Sequence, residues 1–175
     1  MAESQHHPSQ RAAEQAFLVT LNKIVRCVTD ERVVRLGDPF NPLIGEMGFR
    51  DAVPAALIGT SHLTLLVRQF FRAVEQADGW VVSTRSYQYQ AYFDGHEIIA
   101  YHWHPNVTQF NQPHAHFKTL VAPLDLGRAH FPTGRTSLEQ IVRLLERELG
   151  VRPRPRWKRV LLETERHFKA SRTWS

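Results

Sequence analysis

The sequence predicts a single α+β domain over residues 1–175, with a central antiparallel β-sheet and helices packed on one of its faces. Three observations lead there. Apolar residues recur at helical spacing near both ends of the chain, and two strongly alternating segments meet at Asp94-Gly95 in the middle. The composition is that of an ordinary globular protein, 42% hydrophobic and 22% charged, with nine glycines and ten prolines. A chain of 175 residues buries roughly two thirds of its unfolded surface, enough for one core.

Taken in order, residues 1–10 are expected to be loosely held, and Phe17, Leu21, Ile24, Val25 and Val28 then mark a first helix. "ERVVRLG" reads as a short strand, and "DPFNPLIGEMG" as a loop punctuated by Pro39, Pro42 and Gly45. Leu63, Leu66, Val67, Phe70, Phe71 and Val74 fit a second amphipathic helix, with Thr60 or Ser61 as N-cap. A β-rich centre follows over residues 80–131. Two helices close the chain within 136–170. The first runs from Ser137 to Leu149, with Thr136/Glu139 as a capping box and Gly150 as the stop; the second starts at Pro155 and ends near Ala170.

No apolar run reaches the ~20 residues that span a bilayer, because Arg68 and Arg72 interrupt the longest one. The opening "MAESQHHPSQR" lacks the hydrophobic stretch of an export signal, and a single cysteine, Cys27, permits no internal disulfide. A cytoplasmic protein without membrane contact is expected. Cys27 lies within a helical apolar pattern, where a buried inert thiol is the ordinary outcome. The net charge of +5 is unevenly spread: residues 143–172 hold ten Lys or Arg against four Glu, so the rest of the chain is near neutral. That basic segment suits a phosphate backbone or an acidic protein, or equally a solvated helix face with pairs such as Glu165 and Lys169.

The segment "YHWHPNVTQFNQPHAHFK" concentrates four of the ten histidines in two His-x-His pairs. Strands "VVSTRSYQYQAYF" and "EIIAYHWH" form a hairpin through Asp94-Gly95, in one of two registers. Pairing of positions that sum to 189 mixes Tyr87 and Tyr89 with His102 and Ala100. A sum of 190 places Tyr87, Tyr89 and Ala91 beside Trp103, Tyr101 and Ile99, with Ser86, Gln88 and Gln90 beside His104, His102 and Ala100. The second separates apolar from polar and is preferred. An antiparallel return then sets His102 opposite His116 and His104 opposite His114, in a solvent-facing patch with Ser86, Gln88 and Lys118. His130 extends the patch if its segment pairs at the sheet edge.

Four readings follow. An antiparallel sheet often leaves one face in water, and the histidines are then polar fill, although His is a poor default choice for a strand. The favoured catalytic reading is metal-independent cleavage of RNA. A neutral imidazole among His102, His104, His114, His116 and His130 takes the 2′-OH proton while a protonated neighbour serves the leaving oxygen. Lys118, Arg128 or Arg135 then hold the phosphate, and Arg154, Arg156 and Lys158 bind the RNA backbone, with no cofactor. The third reading makes His102, His104, His114 and His116 metal ligands, because His-x-His on a strand aims both rings the same way. The fourth is ligand or protein binding without chemistry. "SHLTLL" offers half of a His-x-Thr phosphoesterase motif with no second copy, so His62 is read as a helix start. "HFPTGRTSLEQ" offers Thr133, Arg135 and a helix N-terminus as an anion site. No GxGxxG, P-loop, HExxH or CxxC occurs.

The block "PHAHFKTLV…RAHFPTGRTSLEQIVRLLERELGV" resembles the C-terminal half of TumE-type toxins of bacterial toxin–antitoxin pairs, over about a third of the chain. The resemblance implies a small cytoplasmic α+β protein held by an antitoxin, with a growth-arresting activity. His114, His116 and His130 fall in the matched block; His102 and His104 do not.

Overall fold

The computed structural model describes residues 6–37, 44–105, 111–118 and 129–170, the last four of these for the backbone alone. Helix α1 (Gln10–Val25) is capped by Ser9, whose hydroxyl accepts the Ala12 N–H. Strands β1 (Val33–Leu36), β2 (Gly45–Phe49), β3 (Ala55–Ala56), β4 (Leu63–Gln76), β5 (Gly79–Phe93), β6 (His96–Trp103), β7 (His114–Phe117) and β8 (Phe131–Pro132) form one antiparallel sheet. Its order is β1-β2-β4-β5-β6-β7-β8, with β3 added to β4. Helices α2 (Leu138–Glu148) and α3 (Trp157–Ala170) close the α+β domain. Among the described residues, no helix is long and apolar enough to cross a membrane.

The three helices and one sheet face share a core. Leu21, Ile24, Val25 and Val28 of the first helix and its exit meet Met47, Phe49, Leu65, Val67, Phe71, Tyr87, Tyr89, Ile99 and Trp103. Leu138, Ile141, Val142, Leu145 and Leu161 complete it from α2 and α3. Cys27 is buried there, and burial pushes its thiol pKa up, as expected of an inert thiol. Asn22 joins α1 to the sheet edge as if it were one more strand residue. Its Nδ2 donates to the Val33 carbonyl at 2.8 Å, and its Oδ1 accepts the Val33 N–H at 3.0 Å.

Several expected elements are corrected. Leu63 to Val74 is a strand, not a helix. Leu63, Leu65, Val67 and Phe71 face the helices, but Leu66 is also buried on the opposite face, and polar Gln69 sits on the core side. Exceptions on both faces disguise the two-residue period as a helical one. The expected loop before it contains β2, so the sheet begins well before Trp80. Gly48 permits that pairing, since a Cβ there would lie 2.7 Å from the Val67 carbonyl oxygen. Within the expected loose start, the His7 N–H and carbonyl pair with Trp80, and His6 reaches Gln76 at 3.0 Å.

At the C-terminal helices the caps move by a residue or two. Ser137, not Thr136, caps α2, in a capping box with Gln140; the Thr136 N–H is taken by the Tyr87 hydroxyl at 2.8 Å. Arg156 is left-handed (φ 68°), so α3 starts at Trp157 rather than at Pro155. Gly150, at φ 69°, does end the preceding helix.

Replacing Asn22 by Ala leaves the buried Val33 N–H and carbonyl without these partners. The expected loss is roughly 2–4 kcal/mol in urea unfolding. A loss below about 0.5 kcal/mol would show that the rest of the core alone fixes β1 against α1.

Candidate functional site

Both hairpin registers occur, one on each side of a bulge. Asp94 (φ 47°) and Gly95 (φ 79°) form a two-residue left-handed turn, which pairs Phe93 with His96 and Tyr92 with Glu97. Ile98 is then skipped, and Ala91 pairs with Ile99, Tyr89 with Tyr101, Gln88 with His102 and Tyr87 with Trp103. The bulge puts the tyrosines and Trp103 toward the helices and His102 on the other face. On the core side, Tyr87 and Tyr89 stack at 4.9 Å, and the Tyr87 and Tyr89 hydroxyls are pushed up by burial.

The β6–β7 register is two residues from the expected one: His102 lies opposite His114 and Ala100 opposite His116. A shift of two keeps side-chain parity, so the imidazoles still share a face. Ring centroids of His102 lie 5.5 Å from His104, 5.9 Å from His114 and 5.3 Å from His116; His114 and His116 are 4.9 Å apart. His130 joins from the approach to β8, 4.8 Å from His114 and 4.6 Å from His116. Strand β8 pairs with β7 through Pro132 opposite His114 and Phe131 opposite Ala115.

This cluster is not the wet patch that strand alternation suggested. His114 is only 4% exposed, and Leu66, Gln90 and Ala100 on the same face are also buried. His102, His104 and His116 are half-buried, and His130 is exposed. The Nδ1–H of His114 donates to the Gln112 carbonyl at 2.8 Å, because a carbonyl can only accept, so Nε2 carries the lone pair. The Nε2 of His102 is buried with no hydrogen-bond partner. Burial, reinforced by His104, His116, His114 and His130, lowers the His102 pKa to about 4. Burial, His114 and Arg68 lower that of His104. One ligand atom each from His102, His114 and His116 lies within 4.8 Å of the others.

The expected anion-binding residues do not gather at this site. Lys118 shares the parity of His114 and His116 and is exposed, with its N–H on the Ile98 carbonyl. Arg128 lies outside the described residues. Arg135 stacks over Trp103 at 3.6 Å, on the helical side of the sheet. Arg154 is committed to the C-terminal end of α1: its N–H donates to the Cys27 carbonyl, its Nε to the Arg26 carbonyl, and it pairs with Asp30. Arg156 and Lys158, beside Trp157, begin α3, also on the helical side. The sheet therefore separates Arg135, Arg154, Arg156 and Lys158 from the imidazoles, and of the expected anion-binding residues described, only Lys118 shares their face. His62 starts no helix; its Nδ1 pairs with Asp94 at 2.7 Å, beside the turn.

Arg68, Glu46, Tyr92 and Glu97, not singled out in the sequence for this face, complete it with Gln88 and Gln90. Arg68 pairs with Gln88, next to His102, and its Nε donates to Glu46 at 2.6 Å. Gln88 donates to Gln90 at 2.9 Å, Tyr92 donates to the same amide oxygen, and Gln90 donates to Glu97. Reading Leu63 to Val74 as a strand would have brought Arg68 into this row. The chain matches no family model, no curated protein and no solved structure.

The unfolded His102 takes up its proton near pH 6.5 but the folded one only near pH 4. The unfolded state thus binds more protons between those values, and stability falls as pH drops through that window. With solvent screening of this half-buried ring taken into account, we expect roughly 1–2 kcal/mol to be lost between pH 7 and pH 4, and much less in His102→Gln. Equal pH dependence of the two proteins in urea unfolding would assign the loss to other groups.

Proposed function

We propose that the chain is a metalloprotein in which His102, His114 and His116 hold a late first-row divalent ion, of the zinc type, and that the centre serves hydrolysis of an anionic ester. The observation that carries this reading is the convergence of one ligand atom each from three imidazoles within 4.8 Å, with the Nε2 of one of them, His102, buried without a hydrogen-bond partner. Nitrogens around a tetrahedral zinc ion, at ~2.0–2.1 Å from it, lie about 3.3 Å apart, a distance that small ring rotations reach. The second observation in support is the Gln112 carbonyl on His114 Nδ1, an outer partner that fixes tautomer and ring direction as metal-bound imidazoles require. A neutral His102 is also what coordination needs.

Three neutral nitrogen donors leave a coordination position for water, and such an ion supplies Lewis acidity and an acidified water at neutral pH. Around it, Lys118 brings positive charge to the same face, which suits a phosphoester or carboxylate substrate, while Arg68 there is already paired with Glu46. Metal-independent cleavage of RNA uses the same residues, and His102, held neutral, would be its base. That reading needs a protonated imidazole close to His102 and His104, where burial and neighbouring imidazoles oppose charge. Geometry therefore favours metal. The toxin resemblance and an antitoxin partner rest on the matched block alone.

Untagged protein dialysed against zinc should hold about one equivalent by elemental analysis. His102→Ala and His116→Ala should lose it, and His62→Ala should keep it. Cleavage of a generic phosphodiester should stop in EDTA and return with zinc. Folded wild type that retains less than about a tenth of an equivalent, yet cleaves RNA in EDTA, would overturn the metal reading in favour of acid–base catalysis.

A further inference from the structure

Beyond the three converging histidines stands a fourth imidazole whose position neither covers a core nor serves the sheet. His130 precedes a two-residue attachment, the edge strand β8, and its ring packs edge-on against both His114 and His116 from the exposed side. Imidazoles bound to one tetrahedral ion have ring centroids about 5 Å apart, given metal–nitrogen distances of ~2.0–2.1 Å. Within the trio the separations are 5.9, 5.3 and 4.9 Å, and those from His130 to two of its members are 4.8 and 4.6 Å. The His130 ring thus stands as close to His114 and His116 as those two stand to each other, a rotation away from the ligand atoms that already converge on β6 and β7.

His130 differs from the others in how it is held. Strand β8 pairs through only two residues, and one of them, Pro132, has no N–H to give. Further fastening comes from the Thr133 N–H on the Pro113 carbonyl at 2.8 Å and the Phe131 ring against Phe117 at 5.3 Å. His130, exposed and just outside this edge strand, can turn its ring away by side-chain rotation, whereas the half-buried His102 and the buried His114 are enclosed by their neighbours.

Resting on the metal reading above, we infer that His130 is the exchangeable fourth ligand of the His102–His114–His116 centre. Bound, it completes a four-imidazole shell that holds the ion against loss; swung outward, it opens one position to an incoming anion. Four nitrogen donors without sulfur suit Cu(II) as well as Zn(II), and Cu(II) makes the donor count visible.

The test loads the full chain with one equivalent of Cu(II) and counts coordinated nitrogens by electron paramagnetic resonance, in wild type, His130→Ala and His104→Ala. The expected result is four nitrogens in wild type and His104→Ala but three in His130→Ala. Loss of the ion to excess EDTA should be about tenfold to a hundredfold faster in His130→Ala, the range for removing a supporting group at a metal site. Azide should give its charge-transfer band at lower concentration in that variant. Identical nitrogen counts and release rates in wild type and His130→Ala would overturn the role of His130 while leaving the three-histidine centre intact. A change confined to His104→Ala would overturn it too, in favour of His104. Wild type that takes up no Cu(II) or Zn(II) at all would remove the centre itself.

Discussion

The Asp94–Gly95 turn closes with Phe93 opposite His96, and that pairing, continued along the strands, would set Tyr87 opposite His102 and Tyr89 opposite Ala100. Every imidazole of β6 would then face the helical core, and the tyrosines would share a face with them. The extra residue at Ile98 prevents this. From there on, Tyr87 and Tyr89 lie with Trp103 over the helices, and His102 stands on the far face with His114 and His116. The core and the site thus depend on the same skipped residue, and neither can be altered without the other.

The far face has the character of a second interior rather than a wet surface. Leu66, Gln90, Ala100 and His114 are buried there, and the polar members satisfy one another along the Gln88, Gln90, Tyr92 and Glu97 chain. In such surroundings the charged form of an imidazole is penalised twice, by lost solvation and by its neighbours. His102 shows both effects. A buried nitrogen with no partner is costly to maintain, and such costs gather where chemistry is done.

How much of this was legible in the sequence follows from how local each signal is. The hairpin was readable because Asp94-Gly95 and the alternation of Tyr87, Tyr89, Tyr101 and Trp103 lie within a few residues of each other. The gathering of His102, His104, His114 and His116 followed from parity, which a register error of two leaves unchanged. Burial was not readable, because it depends on what covers a face and not on the residues that make it. Leu63 to Val74 went unread for a related reason: with Leu66 buried on one face and Gln69 on the other, no strand alternation survives. The basic C-terminal segment looked like one surface, but Arg154 is occupied at the end of α1, and Arg143 is paired with Glu165. Such partners are remote in sequence, so no spacing rule announces them.

The hydrogen bond from His114 Nδ1 to the Gln112 carbonyl has a consequence for proton traffic. A histidine that ferries protons takes one up on one nitrogen and gives one from the other, alternating tautomers as it does so. His114 is held in one tautomer by a backbone oxygen that has no proton to return, and the preceding residue, Pro113, stiffens the chain that carries it. It can lend an electron pair but cannot act as a two-sided relay without first breaking that tie. Any proton leaving the buried side of the cluster must therefore travel by way of its half-buried and exposed members, which sets a direction, from interior to sheet edge, for the site's exchange with water.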